Sequence, residues 1–240
     1  MVSLILLFFF FNLELSNKID TLKSIVDKNP KLSIITELNM CYFMAGQDSL
    51  GIELIKKYYD LLGAHDNAAL RLQLADDYLY TGDILEARDV YLKLVSRYPG
   101  SVFANDALEK LYMIESARLD TTTFKSLGYS IFLYKSSQFD AAKDSLKNLV
   151  KTRLGDYALY FLALTFIKQE NLGQALGALD NLTTSFPDHK IHNAALLQAG
   201  IYIDLNKEKE ARAILEELVV REPTSIYAVR ARGMLENNFE

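Results

Sequence analysis

Cysteine, proline and clustered basic residues are all scarce in this chain of 240 residues, and each scarcity excludes something. One cysteine, Cys41, rules out an intrachain disulfide and any site built from several cysteines, and suits a reducing or an oxidising compartment equally. A formal net charge of −5 with no run of Lys or Arg removes the basic face that binding to a phosphate backbone needs, so nucleic acid is not an expected partner. There is no Gly-rich phosphate loop, no Gly-x-Ser-x-Gly and no His-Glu-x-x-His, and no alternating apolar and polar stretch is long enough to be a strand. What is present is apolar: half of the residues, against 24% charged, which is a composition that folds throughout rather than remaining disordered.

Three of the four prolines close a recurring phrase. Ala87-Arg88-Asp89-Val90-Tyr91 precedes Pro99, Ala175-Leu176-Gly177-Ala178-Leu179 precedes Pro187, and Ala211-Arg212-Ala213-Ile214-Leu215 precedes Pro223, with 12 residues from Ala to Pro each time. A fourth copy at Ala142 keeps the helix and has Leu154 in the place of proline. Self-similarity of this kind means stacked supersecondary units rather than one globular core. In each copy the apolar residues fall on one helical stripe, as with Ala87, Val90, Tyr91, Leu94 and Val95. The Ala stays small where two helices of a hairpin cross, and the proline stops the second helix by forcing its predecessor out of the α region.

Helix pairs are therefore expected at Thr36–Gly46 with Ser49–Leu62, Ala68–Tyr80 with Leu85–Arg97, Asp156–Lys168 with Leu172–Ser185, and Ile191–Leu205 with Glu208–Arg221. Gly46 and Gly82 suit the left-handed ends of first helices, Asp83 and Asp120 suit N-caps, and Gly51 takes the close-contact place of the later alanines. Lys18–Asp27 before Pro30 reads as the second helix of an earlier, incomplete unit. The spacing is regular except once: Gly51 to Ala87 is 36, Ala142 to Ala175 is 33, Ala175 to Ala211 is 36, but Ala87 to Ala142 is 55. One extra helix, Phe103–Ser116, fills that gap as a first helix without a partner, and a kink or change of direction is expected near residues 117–123. The other reading is that this helix only pads the stack.

These residues resemble the tetratricopeptide repeat, a unit of about 34 residues with a small residue at its eighth place, an aromatic at its eleventh, Ala at its twentieth and Pro at its thirty-second. The unit from Ala68 supplies Ala75, Tyr78, Gly82, Ala87, Tyr91 and Pro99; later units supply Ala163, Phe166, Ala175, Leu179 and Pro187, then Ala199, Tyr202, Ala211, Leu215 and Pro223. The units around Ser130, Leu133, Ala142 and Leu146, and around Tyr42, Gly46 and Gly51, follow the pattern more loosely. Pro99-Gly100-Ser101-Val102-Phe103-Ala104 and Pro223-Thr224-Ser225-Ile226-Tyr227-Ala228 share a narrower phrase. It is similar to the variant in bacterial envelope repeat proteins, of the class of the Tol-Pal coordinator and the barrel-assembly lipoprotein.

The resemblance implies an all-α, right-handed α-solenoid of about five helix hairpins that binds a protein or peptide partner. It also implies which side chains line the concave groove: Met40 and Phe43, Leu72, Asp76, Leu79 and Tyr80, Tyr134 and Lys135, Tyr157, Tyr160, Ile167 and Lys168, Leu196 and Ile203. That groove is apolar and tyrosine-rich, a composition suited to protein interfaces. The alternative is that tight curvature packs these residues on one another.

The N-terminus stands apart. Val2–Phe11 is an uncharged run of the length of a secretory h-region and about half of what a bilayer span requires. It reads as export, with residues 1–16 as signal peptide and 17–117 and 118–240 as two groups of repeats. The alternatives are an apolar helix packed on the first repeat, or the scar of a longer reading frame. Candidate chemistry is thin: His189 and His192 with Asp188 have metal-ligand spacing but read as a solvated helix start, and Asp76-Asp77 and Glu216-Glu217 read as solvated faces. Cys41, among Met40, Tyr42, Phe43 and Met44, reads as a buried thiol. No catalytic residue, cofactor, metal, small-molecule substrate or stable membrane span is expected. The expected location is the periplasm or outer membrane, and the alternatives are a cytoplasmic scaffold, a piece of a larger repeat protein, or an enzyme's accessory domain.

Overall fold

The computed structural model describes residues 2–118 and 120–239, and for residues 2–12 the course of the backbone alone. Met1, Leu119, Glu240 and the side chains of the apolar run, on which the expectation of export rests, lie outside the described residues. Among the described residues there are thirteen helices and no strand: α1 (Val2–Lys28), α2 (Leu32–Met44), α3 (Asp48–Tyr58), α4 (Ala64–Thr81), α5 (Ile84–Arg97), α6 (Val102–Ala117), α7 (Thr121–Lys135), α8 (Phe139–Lys147), α9 (Gly155–Lys168), α10 (Leu172–Ser185), α11 (Asn193–Asp204), α12 (Glu208–Arg221) and α13 (Ile226–Phe239). The fold is all-α, of the solenoid type built from helix hairpins. None of the described helices is long and apolar enough to cross a membrane. The chain forms two compact units, Met1–Ser137 and Gln138–Glu240.

The small residue of the repeated phrase sits where expected. Ala87, Ala142, Ala175 and Ala211 are all fully buried, and a Cβ placed on Gly51 would come within 2.8 Å of the Phe43 ring. The turns that follow first helices also share one conformation. Gly46 (φ 67°) and Gly82 (φ 85°) are left-handed, as read from the sequence, and so are Ser137 (φ 63°), Glu170 (φ 58°) and Asn206 (φ 56°) at the matching places. A left-handed residue satisfies the last carbonyls of a first helix, and glycine is only the least strained way to supply it. Asp120 caps α7, accepting from the Thr123 backbone N–H at 3.0 Å. Asp83 does not cap α5; its carboxylate accepts from the Thr81 hydroxyl at 2.6 Å instead.

In the first unit, α1 packs on α2, and α2, α3, α4 and α5 follow in order. Leu15, Ile19, Leu22 and Val26 of α1 join Ile35, Leu38, Cys41, Ile55 and Leu70 in one core, so α1 packs on α2 as a second helix packs on the first helix of the next repeat. The extra helix, α6, packs chiefly on α5. It ends at Arg118, whose φ of 46° is left-handed. Then α7 docks on α4 with little contact to α6, at a crossing where a Cβ on Gly128 would collide with the Leu79 carbonyl oxygen. Because α7 is held by α4, the first unit extends to Ser137, beyond the boundary at 117–118 that spacing suggested.

In the second unit, α8 packs on α9, α9 on α10, and α11, α12 and α13 on one another. Without a proline, α8 stops early through a chain of tight turns: the Leu149 N–H donates to Leu146, Thr152 to Leu149 and Gly155 to Thr152. Leu154 is fully buried there. The core at the end of this unit is built from Leu196, Ala199, Leu215, Leu218 and Ala231.

The shared Pro-x-Ser phrase opens two equivalent helices. Ser101 Oγ accepts from the Ala104 N–H at 3.2 Å, and Ser225 Oγ accepts from the Ala228 N–H at 3.0 Å. Ala104 and Ala107 in α6, and Ala228 and Ala231 in α13, are buried against the helix before. Each occupies the place of a first helix, and α6 is followed by α7 rather than by a second helix packed on it.

Candidate partner-binding faces

The first unit's groove residues divide into core and surface. Phe43, Leu79 and Tyr80 are buried. Phe43, Tyr80 and Phe132 form a triangle of rings with centroids 5.8–6.0 Å apart. Edge and tilted ring contacts of this kind stabilise a core beyond the area they bury. This part of the groove is therefore filled by its own aromatics, Phe132 being the member that the sequence pattern did not single out. Met40, Leu72, Asp76 and Tyr134 are half-buried and Lys135 is exposed.

Beneath this face lies a polar cluster that the sequence reading misjudged. Asp77 is fully buried rather than solvated; its two carboxylate oxygens accept from Gln73 Nε2 at 2.9 Å and Asn39 Nδ2 at 2.8 Å. Burial pushes its pKa up from 3.8 to about 8, against the pull of those two donors. Asp76 is half-buried and accepts the hydroxyl hydrogen bond of Tyr91, a residue with no exposure. Burial raises the Tyr91 phenol well above its ordinary value, with the neighbouring Asp76 charge second. The cluster joins α2, α4 and α5 and is closed to solvent at Asp77, so it organises the core. The Gln73–Asp77 spacing of one helical turn was legible in the sequence, but the Asn39 partner, 38 residues away, was not.

The second unit presents its groove residues similarly. Tyr157 and Leu196 are buried, Tyr160, Ile167 and Ile203 are half-buried, and Lys168 is exposed. Tyr160 is held in place: its hydroxyl accepts from Asn193 Nδ2 at 3.0 Å, tying α9 to the start of α11. The surface left for contact there is Tyr160, Ile167, Lys168 and Ile203, aromatic and aliphatic with one cation.

The histidine pair is not a solvated helix start. His192 Nδ1 lies 2.9 Å from Glu222 Oε1, its ring stacks on Tyr227 at 5.3 Å, and His189 Nδ1 accepts from the Ile191 N–H at 3.2 Å. Both rings are engaged within the fold, locking the start of α11 to the end of α12 and to α13. Desolvation, with Arg221 nearby, holds His189 below the ordinary imidazole value. Among the described residues no group of three or more His, Cys, Asp or Glu is placed to hold a metal ion. Cys41 is buried as its apolar neighbours indicated, and burial raises its thiol pKa.

Two segments of the chain match the family profile described as "Tetratricopeptide repeat": residues 68–101, which span α4 residue 68 through α5 to Ser101, and residues 193–225, which span α11 and α12 to Ser225. These segments are tetratricopeptide repeats. The α9–α10 hairpin, with Ala175 and Pro187, lies between them and outside the matched residues, yet buries Ala163 and Ala175 in the same way as the two tetratricopeptide hairpins bury theirs. No curated protein sequence matches the chain. Similar solved structures include the tetratricopeptide domain of P58(IPK), 16% identical, covering 93% of this chain and 60% of that one with a TM-score of 0.39. The chain thus spans less than two thirds of that domain. Others are the TPR2AB domain of yeast Sti1 in its pHSP90 complex (11%, 91% and 88%, TM-score 0.42) and PilW, a type IV pilus biogenesis factor (19%, 82% and 96%, TM-score 0.40).

Proposed function

We propose that this protein is a non-enzymatic scaffold for protein–protein interaction in a bacterial cell envelope. The observation that carries the scaffold reading is the pair of tetratricopeptide repeats, set among helix hairpins whose first helices keep a polar and aromatic face partly open after the core is satisfied. In the second unit this is Tyr160, Ile167, Lys168 and Ile203; in the first it is Leu72, Asp76 and Tyr134. A partner segment laid on these faces gains aromatic contact area from side chains that lose little conformational freedom, Tyr160 being already fixed by Asn193. Asp77, Asp76 and His192, by contrast, are engaged within the fold by Asn39, Gln73, Tyr91 and Glu222. A protein or peptide is thus the partner class, without cofactor, nucleic acid or small-molecule substrate.

The envelope part of the proposal rests on Val2–Phe11 and on the Pro-x-Ser-x-aromatic-Ala phrase. One observation favours the rival reading of a scaffold that stays in the cytoplasm. The helix α1 runs unbroken through Ser16, the residue at which a cut is expected, and Leu15 just before it is part of the core. Expression of the full reading frame in a Gram-negative host, followed by intact mass and fractionation, decides between them. Loss of about the first 16 residues with periplasmic recovery supports export. An intact N-terminus in the cytoplasm sinks the envelope assignment and makes the apolar run part of the fold.

A further inference from the structure

The second helix missing after α6 leaves a vacant place, and its walls are not those of a solvated end. Between α5 and α6 runs a groove of about 450 Å³, lined by Leu92 of α5 and Leu108, Leu111 and Tyr112 of α6, and also by Arg88, Glu115 and Arg118. Leu92, Leu108 and Tyr112 are 42%, 40% and 45% exposed. In register with α6, α13 has Arg232 at the place of Leu108 and Glu236 at the place of Tyr112, both exposed. The same phrase is thus followed by charged outer side chains in one helix and by apolar ones in the other.

We infer that this groove receives an amphipathic helix from a protein partner, one with carboxylates in its first turn, seated where the second helix of α6's own repeat is missing. The occupant is a helix because second helices are what cover first helices throughout this chain, as α5 covers α4 and α12 covers α11. Its polarity follows from the same hairpins. A second helix begins beside the end of the first, and α5 and α12 open with Glu86 and with Glu208 and Glu210. A helix entering beside the end of α6 brings its first turn to Arg118, and Arg88 lines the same groove. Two exposed guanidinium groups against the single carboxylate of Glu115 leave the lining net basic, so acidic residues on the entering helix complement it. The surface lies on different residues from the groove faces proposed above and does not depend on them.

The test uses the full chain and a labelled synthetic peptide with the sequence of residues 208–222, which has the acidic first turn and the apolar stripe. Saturable micromolar binding is expected by fluorescence anisotropy. It should weaken at least about tenfold in Leu108→Asp and in the double variant R88E/R118E. Binding to R88E/R118E should recover when both Glu208 and Glu210 of the peptide are replaced by Lys. All the substituted side chains are exposed, and circular dichroism checks that helicity is kept. No binding to the wild type, or binding that neither variant weakens, overturns the inference. So does concentration-dependent self-association lost in the same variants, which would give the groove to a second copy of the chain.

Discussion

At Asp77 the sequence misled because a carboxylate is ordinarily a surface group, and an adjacent pair of them on a helix is ordinarily a solvated face. Only the three-dimensional meeting with Asn39 shows that the second of the pair points inward. The consequence is a pH dependence of known sign. The carboxyl has its ordinary value of 3.8 when unfolded and about 8 when folded. A raised acid is neutral in the native state, so its contribution to stability is complete below the unfolded value. That contribution falls as pH climbs toward 8 and is constant beyond, at most about 1.4 kcal/mol for each pH unit crossed. Asp77→Asn keeps the shape and cannot ionise. It also provides an N–H for Asn39 Oδ1, which is buried without a donor in its present orientation. The variant should be more stable than wild type at pH 8 by about 1–3 kcal/mol and should lose the decline between pH 4 and 8. Urea midpoints at pH 5 and pH 8 measure it; equal slopes in both proteins would contradict the neutral-acid assignment.

At the scale of the helices, most of the fold was legible because the constraint repeats. Five small residues of second helices and three helix-ending prolines each carry the same physical demand several times, and repetition makes a demand visible in a string of letters; of the five left-handed turn positions only those held by Gly46 and Gly82 were legible. The α7–α4 contact was not legible, since it happens once. Its determinant is Gly128, one glycine in α7, with nothing in the sequence to say that α4 passes against it. Gly128→Ala should push α7 off the Leu79 carbonyl and destabilise the first unit by about 1–3 kcal/mol. Gly200 in α11 is the matched control. Nothing lies within 4 Å of where its Cβ would be, so Gly200→Ala should stabilise the second unit by about 0.5–1 kcal/mol through helix propensity alone. Thermal melts of the two variants should therefore shift in opposite directions, and a common direction would refute the packing assigned to α7. The groove residues were only half legible for a related reason. A repeat pattern states which face a side chain occupies, but whether that face is open depends on the size of its neighbours, as Phe132 decides for Phe43 and Tyr80.

For the whole molecule, the decisive region is α1, where export and folding make competing demands on one helix. Stability in a repeat array is a sum of units and nearest-neighbour contacts, so removing a terminal segment costs what that segment buries and little more. A cut after residue 16 takes Leu15 from the described core and leaves Ile19, Leu22 and Val26 against α2. A cut after Lys28 removes all four and uncovers Ile35 and Leu38, at about 1.5–3 kcal/mol for each buried side chain lost. The chain lacking residues 1–16 should thus melt within a few degrees of the full chain, while the chain lacking residues 1–28 should lose the first unit's transition. In both, the transition of Gln138–Glu240 should stay where it is. Calorimetry on the three proteins separates the cases. If loss of residues 1–16 alone abolishes the first transition, the apolar run is a structural element that no signal peptidase could remove without destroying the fold, and the scaffold would have to work with it in place.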